Sequence, residues 1–104
     1  MSALEFLNKL PAALNANAAS GLDCVLQFNT ATPAYVTIKG GEATVTAGTA
    51  TSPNVTISMD DNDLIKMFKG ELNAMMAFMT GKLKVDGDLM MAQKLANLFD
   101  ASKL

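Results

Sequence analysis

The sequence predicts an α+β domain: a five-stranded, mainly antiparallel sheet with helices packed on one face. Three observations predict it. Apolar residues recur at helical spacing near both ends of the 104-residue chain, and they alternate with polar ones from about residue 24 to residue 59. Half of the residues are apolar and only 17% are charged, so a large apolar surface must be buried. No apolar run approaches the ~18–20 residues of a membrane span, which leaves a globule as the place to bury it. Residues 1–104 are too few for two cores and are read as one domain.

The first element is a helix. Ser2 and Glu5 are spaced as a capping box, and Leu4, Leu7 and Leu14 fall on one side of a helix running to about residue 18. Pro11 lacks the N–H that would bond to Leu7, which predicts a kink or two short helices. Gly21 ends the segment.

The period then drops to two. Cys24, Leu26 and Phe28 alternate with Val25, Gln27 and Asn29, and Val36 and Ile38 alternate with Tyr35, Thr37 and Lys39. After Gly40-Gly41, which fits a tight hairpin, Ala43, Val45 and Ala47 alternate with Glu42, Thr44 and Thr46. Past Pro53, the residues Val55, Ile57 and Met59 alternate with Asn54, Thr56 and Ser58. Four strands with one apolar and one polar face describe an antiparallel sheet wetted on one side.

Helical spacing returns at Asp60. Leu64, Ile65 and Phe68 share a face, and Gly70 closes that helix. Asn73 caps a short helix carrying Met75, Met76, Phe78 and Met79, closed by Gly81. Lys82-Leu83-Lys84-Val85 alternates as a fifth strand, and Asp86-Gly87-Asp88 turns into a last helix. There Met91, Leu95 and Leu98 form a stripe that Ala92 and Phe99 widen, while Lys94, Asn97 and Ala101 face away.

Several function classes are disfavoured. The net charge is −2 and the eight basic side chains are scattered, so no cationic surface for nucleic acid is expected. The amino terminus has neither a basic segment nor an apolar run, so a secretory signal is not expected. Histidine is absent, which removes Ser-His-Asp and Cys-His pairs and any imidazole-containing zinc site. The single Cys24 has no base to activate it and alternates in phase with Leu26 and Phe28, as a small buried hydrophobe does. Asp60-Asp61-Asn62-Asp63 opens like a calcium loop, but Leu64 stands where an oxygen ligand belongs and Ile65 where glycine does. Helix capping is the simpler reading there, and again for Asp86 and Asp88. No metal, cofactor or covalent chemistry is expected.

Methionine is the positive signal. Of eight in the chain, Met67, Met75, Met76, Met79, Met90 and Met91 fall in the stretch expected to cover the sheet. Flexible, polarizable side chains in that number fit a methionine-filled core or a cavity that repacks around apolar guests.

The segment Ala77-Phe78-Met79-Thr80-Gly81-Lys82-Leu83-Lys84-Val85-Asp86-Gly87-Asp88, followed by Ala92-Gln93-Lys94-Leu95, resembles the signature of the sterol carrier protein type 2 family. Val55-Thr56-Ile57-Ser58-Met59-Asp60-Asp61 and Phe68-Lys69-Gly70-Glu71-Leu72-Asn73 match it as well. The resemblance implies a sheet and helix layer enclosing an apolar lipid tunnel. It also implies a non-enzymatic carrier that binds and transfers fatty acids, fatty acyl-CoA, sterols or phospholipids without a prosthetic group, touching membranes transiently. Carried onto this chain, the walls are Phe68, Met75, Phe78, Met79, Met91, Leu95, Leu98 and Phe99 from helices, with Ile38, Val45 and Ile57 from the sheet. The same fold also occurs as an accessory or pairing module of larger enzymes, and an acyl esterase is a third reading. Ser102-Lys103-Leu104 spells a peroxisomal address, expected to engage an import receptor in a eukaryote; otherwise the expectation is cytoplasmic.

Overall fold

The computed structural model describes residues 3–88, 90, 91, 94 and 98–100. The described elements run α1 (Ala3–Leu7), α2 (Leu10–Ala13), α3 (Ala16–Ala19), β1 (Cys24–Asn29), β2 (Ala34–Lys39), β3 (Glu42–Ala47), β4 (Val55–Met59), α4 (Asp61–Phe68), α5 (Ala74–Met79) and β5 (Leu83–Gly87). Met90, Met91, Lys94 and Leu98 are helical as well.

The amino-terminal region is three short helices where one kinked helix or two short ones are expected. Pro11 sits in the first turn of α2, where a missing N–H is no loss, so it starts a helix more than it bends one. Asn15 then caps α3, its side chain accepting from the Asn17 and Ala18 N–H groups. Gly21 follows with φ 73°. The Ser2 half of the expected capping box lies outside the described residues.

The sheet order is β3-β2-β1-β4-β5. β1–β2, β2–β3 and β4–β5 pair antiparallel, whereas the central β1–β4 pair is parallel. Gly40 and Gly41, with φ of 60° and 78°, turn the β2–β3 hairpin between paired Lys39 and Glu42. The parallel pair follows from the next connection. β4 pairs with β1, not with β3, so residues 48–54 must return the chain along the length of a strand. Seven residues reach at most about 25 Å and a six-residue strand is about 20 Å long, so the return runs nearly extended with no helix in it.

That return crosses the sheet face opposite the helices, and Gln27 holds it there. The alternation places Gln27 on the face expected to be wet, yet it is only 1% exposed. Its Nε2 donates to Gly48 O at 3.2 Å, Ala34 O at 3.3 Å and Asn29 Oδ1 at 3.3 Å, and its Oε1 accepts the Ala50 N–H at 2.7 Å. Asn54 fixes the far end of the return. Its N–H donates to Val25 O, and its Oδ1 accepts the Val25 N–H. Gly87 pairs with Val55 at this end, where a Cβ would stand 2.6 Å from Asn54 O; only glycine fits.

The other face carries the core. Its rows run Val45–Val36–Leu26–Val55 and Ala34–Phe28–Ile57–Val85 across the sheet. α2 lies over β3, α5 beside β5, and α1 against α4 between them. Phe6, Leu7, Leu10 and Leu64 from the helices are fully buried on it, each stabilising by about 1.5–3 kcal/mol. Residues 13–15 meet residues 98–100: Leu14 bridges Phe99, the Asn15 N–H donates to Leu98 O, and the Asp100 N–H donates to Ala13 O.

Candidate functional site

The register places Ile38, Val45 and Ile57 on the one apolar face, through the pairs Ile38↔Cys24, Val45↔Val36 and Ile57↔Phe28. Ile38 and Ile57 are buried, and Val45, on edge strand β3, is partly so. From the helical side, Phe68, Leu98 and Phe99 are buried against the same core, and Met91 packs on it partly buried. Leu95 lies outside the described residues, as do Ser102, Lys103 and Leu104.

The aromatic residues form one group. The Phe68 ring centre is 5.8 Å from that of Phe6, 5.9 Å from Phe28 and 5.9 Å from Phe99, the last edge-on at 78°. Phe68 ends α4, so this group joins α1, α4, β1 and the carboxyl-terminal segment. Phe6 and Phe28 are absent from the expected walls; the alternation places Phe28 on the apolar face, and the spacing of Phe6 from Leu7 and Leu10 is the signal that places it on the buried side.

α5 behaves differently. Asn73 caps it as expected, Oδ1 accepting from the Met75 and Met76 N–H groups at 2.9 and 3.3 Å. Ala77 is buried, while Met75, Phe78 and Met79 are 61%, 49% and 74% exposed. Met76 and Met90 are exposed too. Three of the expected wall residues thus stand on the surface beside β5. The sheet beneath is less fully covered here than at β1: Val85 is only partly buried although it shares a row with fully buried Phe28. Exposed α5 and partly buried Val85 and Met91 thus form the less covered part of the same apolar layer that holds the aromatic group.

Among the described residues, no group of three or more His, Cys, Asp or Glu side chains is placed to hold a metal. Asp60 makes no side-chain cap bond to α4. Asp61 bridges instead, Oδ2 accepting the Ala3 N–H and Oδ1 the Ala31 N–H. Asp88 does cap, accepting from the Met90 and Met91 N–H groups. Burial pushes the Cys24 thiol up, Asp23 adds to this and Lys94 opposes it, so the nucleophilic thiolate is disfavoured.

A model of the SCP-2 sterol transfer family matches residues 5–100. The chain belongs to that family. This member of the SCP-2 sterol transfer family is 43% identical over 68 residues to peroxisomal multifunctional enzyme A of Dictyostelium discoideum, covering 64% of this chain and 15% of that one. The palmitated protein SCP2L2 of Aedes aegypti, solved by NMR, superposes with a TM-score of 0.70 at 26% identity over 93% of each chain. A stereoselective inverting sec-alkylsulfatase from Pseudomonas sp. shares the fold, with a TM-score of 0.85 at 23% identity over 91% of this chain and 16% of that one. The chain therefore spans less than a fifth of the length of either enzyme. The α+β fold with a five-stranded, mainly antiparallel sheet is the one that the alternation and the family resemblance predict.

Proposed function

We propose that this chain is a single lipid-binding domain that shelters the apolar part of a lipid between the apolar sheet face and the α5–Met91 side of the helix layer. One observation carries the reading. α5 presents Met75, Phe78 and Met79 to solvent beside an incompletely covered stretch of β5, in a fold whose Aedes aegypti relative was solved with palmitate. Exposed flexible apolar side chains at the edge of a core form a natural mouth, able to fold over a guest of variable shape.

The ligand class is fatty acid, fatty acyl-CoA, sterol or phospholipid, and the mechanism is partition without an energy source. Burying an acyl chain returns about 0.8 kcal/mol per methylene. A palmitoyl-sized chain thus supplies on the order of 10 kcal/mol gross, and association costs of several kcal/mol leave micromolar affinity or tighter. That driving force is indifferent to chain shape, so selectivity is broad. Delivery takes a transient membrane contact and no covalent step.

A second reading has its own observation. The Dictyostelium discoideum and Pseudomonas relatives are large enzymes of which this chain matches a small part, so the domain serves equally as an accessory or pairing module beside an enzyme of lipid metabolism. Where Ser102-Lys103-Leu104 is the free carboxyl terminus, we propose that an import receptor reads it as a peroxisomal address. Removal of Leu104 from a fluorescent fusion then leaves the protein cytosolic.

The carrier reading is tested with a fluorescent fatty acid and unlabelled acyl-CoA as competitor. Binding near one per chain is expected, and Phe78→Asp weakens it at least tenfold with the fold intact, because a carboxylate must then be desolvated beside the acyl chain. Wild-type affinity in the folded variant contradicts the site.

A further inference from the structure

The apolar layer that is open at α5 is closed at the aromatic group. Phe6 and Phe28 are fully buried, and Phe68 and Phe99 nearly so. Their ring centres stand at van der Waals separations, so the space between α1, α4 and β1 is filled by aromatic carbon. At the other end, Val85 and Met91 are partly covered and α5 is open to solvent. Val85 and Phe28 share one row of the sheet with Ile57 between them, two strand spacings or about 10 Å apart. Ile57 is buried too, so a guest reaches Phe28 only as the side chains over Ile57 repack; a chain that advances along that row from the open end meets Phe68, whose ring centre is 5.9 Å from that of Phe28.

Phe68 is the group that decides how far such a chain goes. Its ring centre lies 5.8–5.9 Å from those of all three others. It also stands on the last residue of α4, directly before the turn that leads to α5. Truncating it opens the wall at its centre; truncating any one of the others trims a side.

We propose that Phe68 is the blind end of the acyl-chain site and sets the longest chain that the domain takes up fully. This rests on the lipid-carrier reading above and adds to it a limit on chain length and the residue that imposes it.

The test is a series of saturated fatty acids from octanoate to arachidate, bound to the full chain and read by displacement of a fluorescent fatty acid. In the wild-type protein, affinity rises about fourfold per added methylene and then stops rising at a definite length. Phe68→Ala moves that break to longer chains, and Phe68→Leu moves it less far. Because Phe68→Ala risks the core, Phe68→Leu and Phe99→Leu supply the shift if the alanine variant does not fold. Leu10→Val, which loosens the core over β3, leaves the break in place. If the wild type shows a break and folded Phe68→Leu and Phe68→Ala keep it unmoved, the proposal is overturned while the carrier reading stands. If Leu10→Val moves the break equally, general loosening explains it and the proposal is again overturned. A wild-type protein that binds no fatty acid of any length removes the carrier reading and the proposal together.

Discussion

The Gln27 side chain holds the backbone of Ala50, its Oε1 accepting the Ala50 N–H at 2.7 Å. With the Asn54–Val25 pair, the bond fastens the extended return between β3 and β4. Gln27→Leu strands the Ala50 N–H and frees the Gly48 carbonyl, a loss of about 1–3 kcal/mol. Urea unfolding should show a lower midpoint with an unchanged slope. A wild-type midpoint would mean that water replaces the amide without loss.

Asp61 is the corresponding fastening on the helical side, joining the start of α1 and residue 31 to the first turn of α4. Asp61→Ala is expected to lower stability by about 1–3 kcal/mol, and Asp61→Asn by less, since one oxygen acceptor survives. Because this carboxylate accepts backbone N–H groups, calcium or EDTA should leave the melting temperature unchanged. A calcium-dependent rise of several degrees would show that the acidic turn binds a cation.

The strands were legible because alternation is local: Leu26 and Val36 declare their face without help from any distant residue. Strand order was not, since a period of two says which face a residue takes and never which strand lies beside it. Gln27 shows the same limit. Polar and in phase with Val25, it reads as wetted, and only a return segment more than twenty residues away buries it. Pro11 fits the expected break into short helices, with one addition: a proline that breaks one helix also begins the next. At the site, the apolar face of the short helix after Asn73 was plain, and Asn73 itself was a correct cap. That Met75 and Met79 stand outside the core depends on how little of a six-residue helix reaches the sheet, which spacing alone does not tell.

Cys24 provides a pH test. Its thiol is raised chiefly by burial, so the folded chain keeps a proton that the unfolded chain releases. That contribution to stability is fully present below the unfolded thiol value and is lost as pH rises above about 8.5. Cys24→Ala should flatten the alkaline side of the stability profile. In the native protein at neutral pH, alkylation should be slow and limited by unfolding. Rapid alkylation without denaturant would contradict the burial of this side chain.

The methionines give a map of the mouth. Mild peroxide should oxidise Met75, Met76, Met79 and Met90 well before Met59, which is only 8% exposed. Saturating fatty acid should slow oxidation of Met75 and Met79, while leaving Met59 as slow as before. Peptide mass spectrometry reads both. Protection spread evenly over all the methionines would indicate general tightening, not a local site.

The central claim, one sheltered lipid per chain, is tested most directly by native mass spectrometry of the protein after incubation with palmitate and removal of the excess. The account predicts a single adduct of one palmitate per chain that is lost in Phe78→Asp while the charge-state distribution stays that of a folded protein. Bare protein at saturating palmitate, or multiple adducts unaffected by Phe78→Asp, would contradict it.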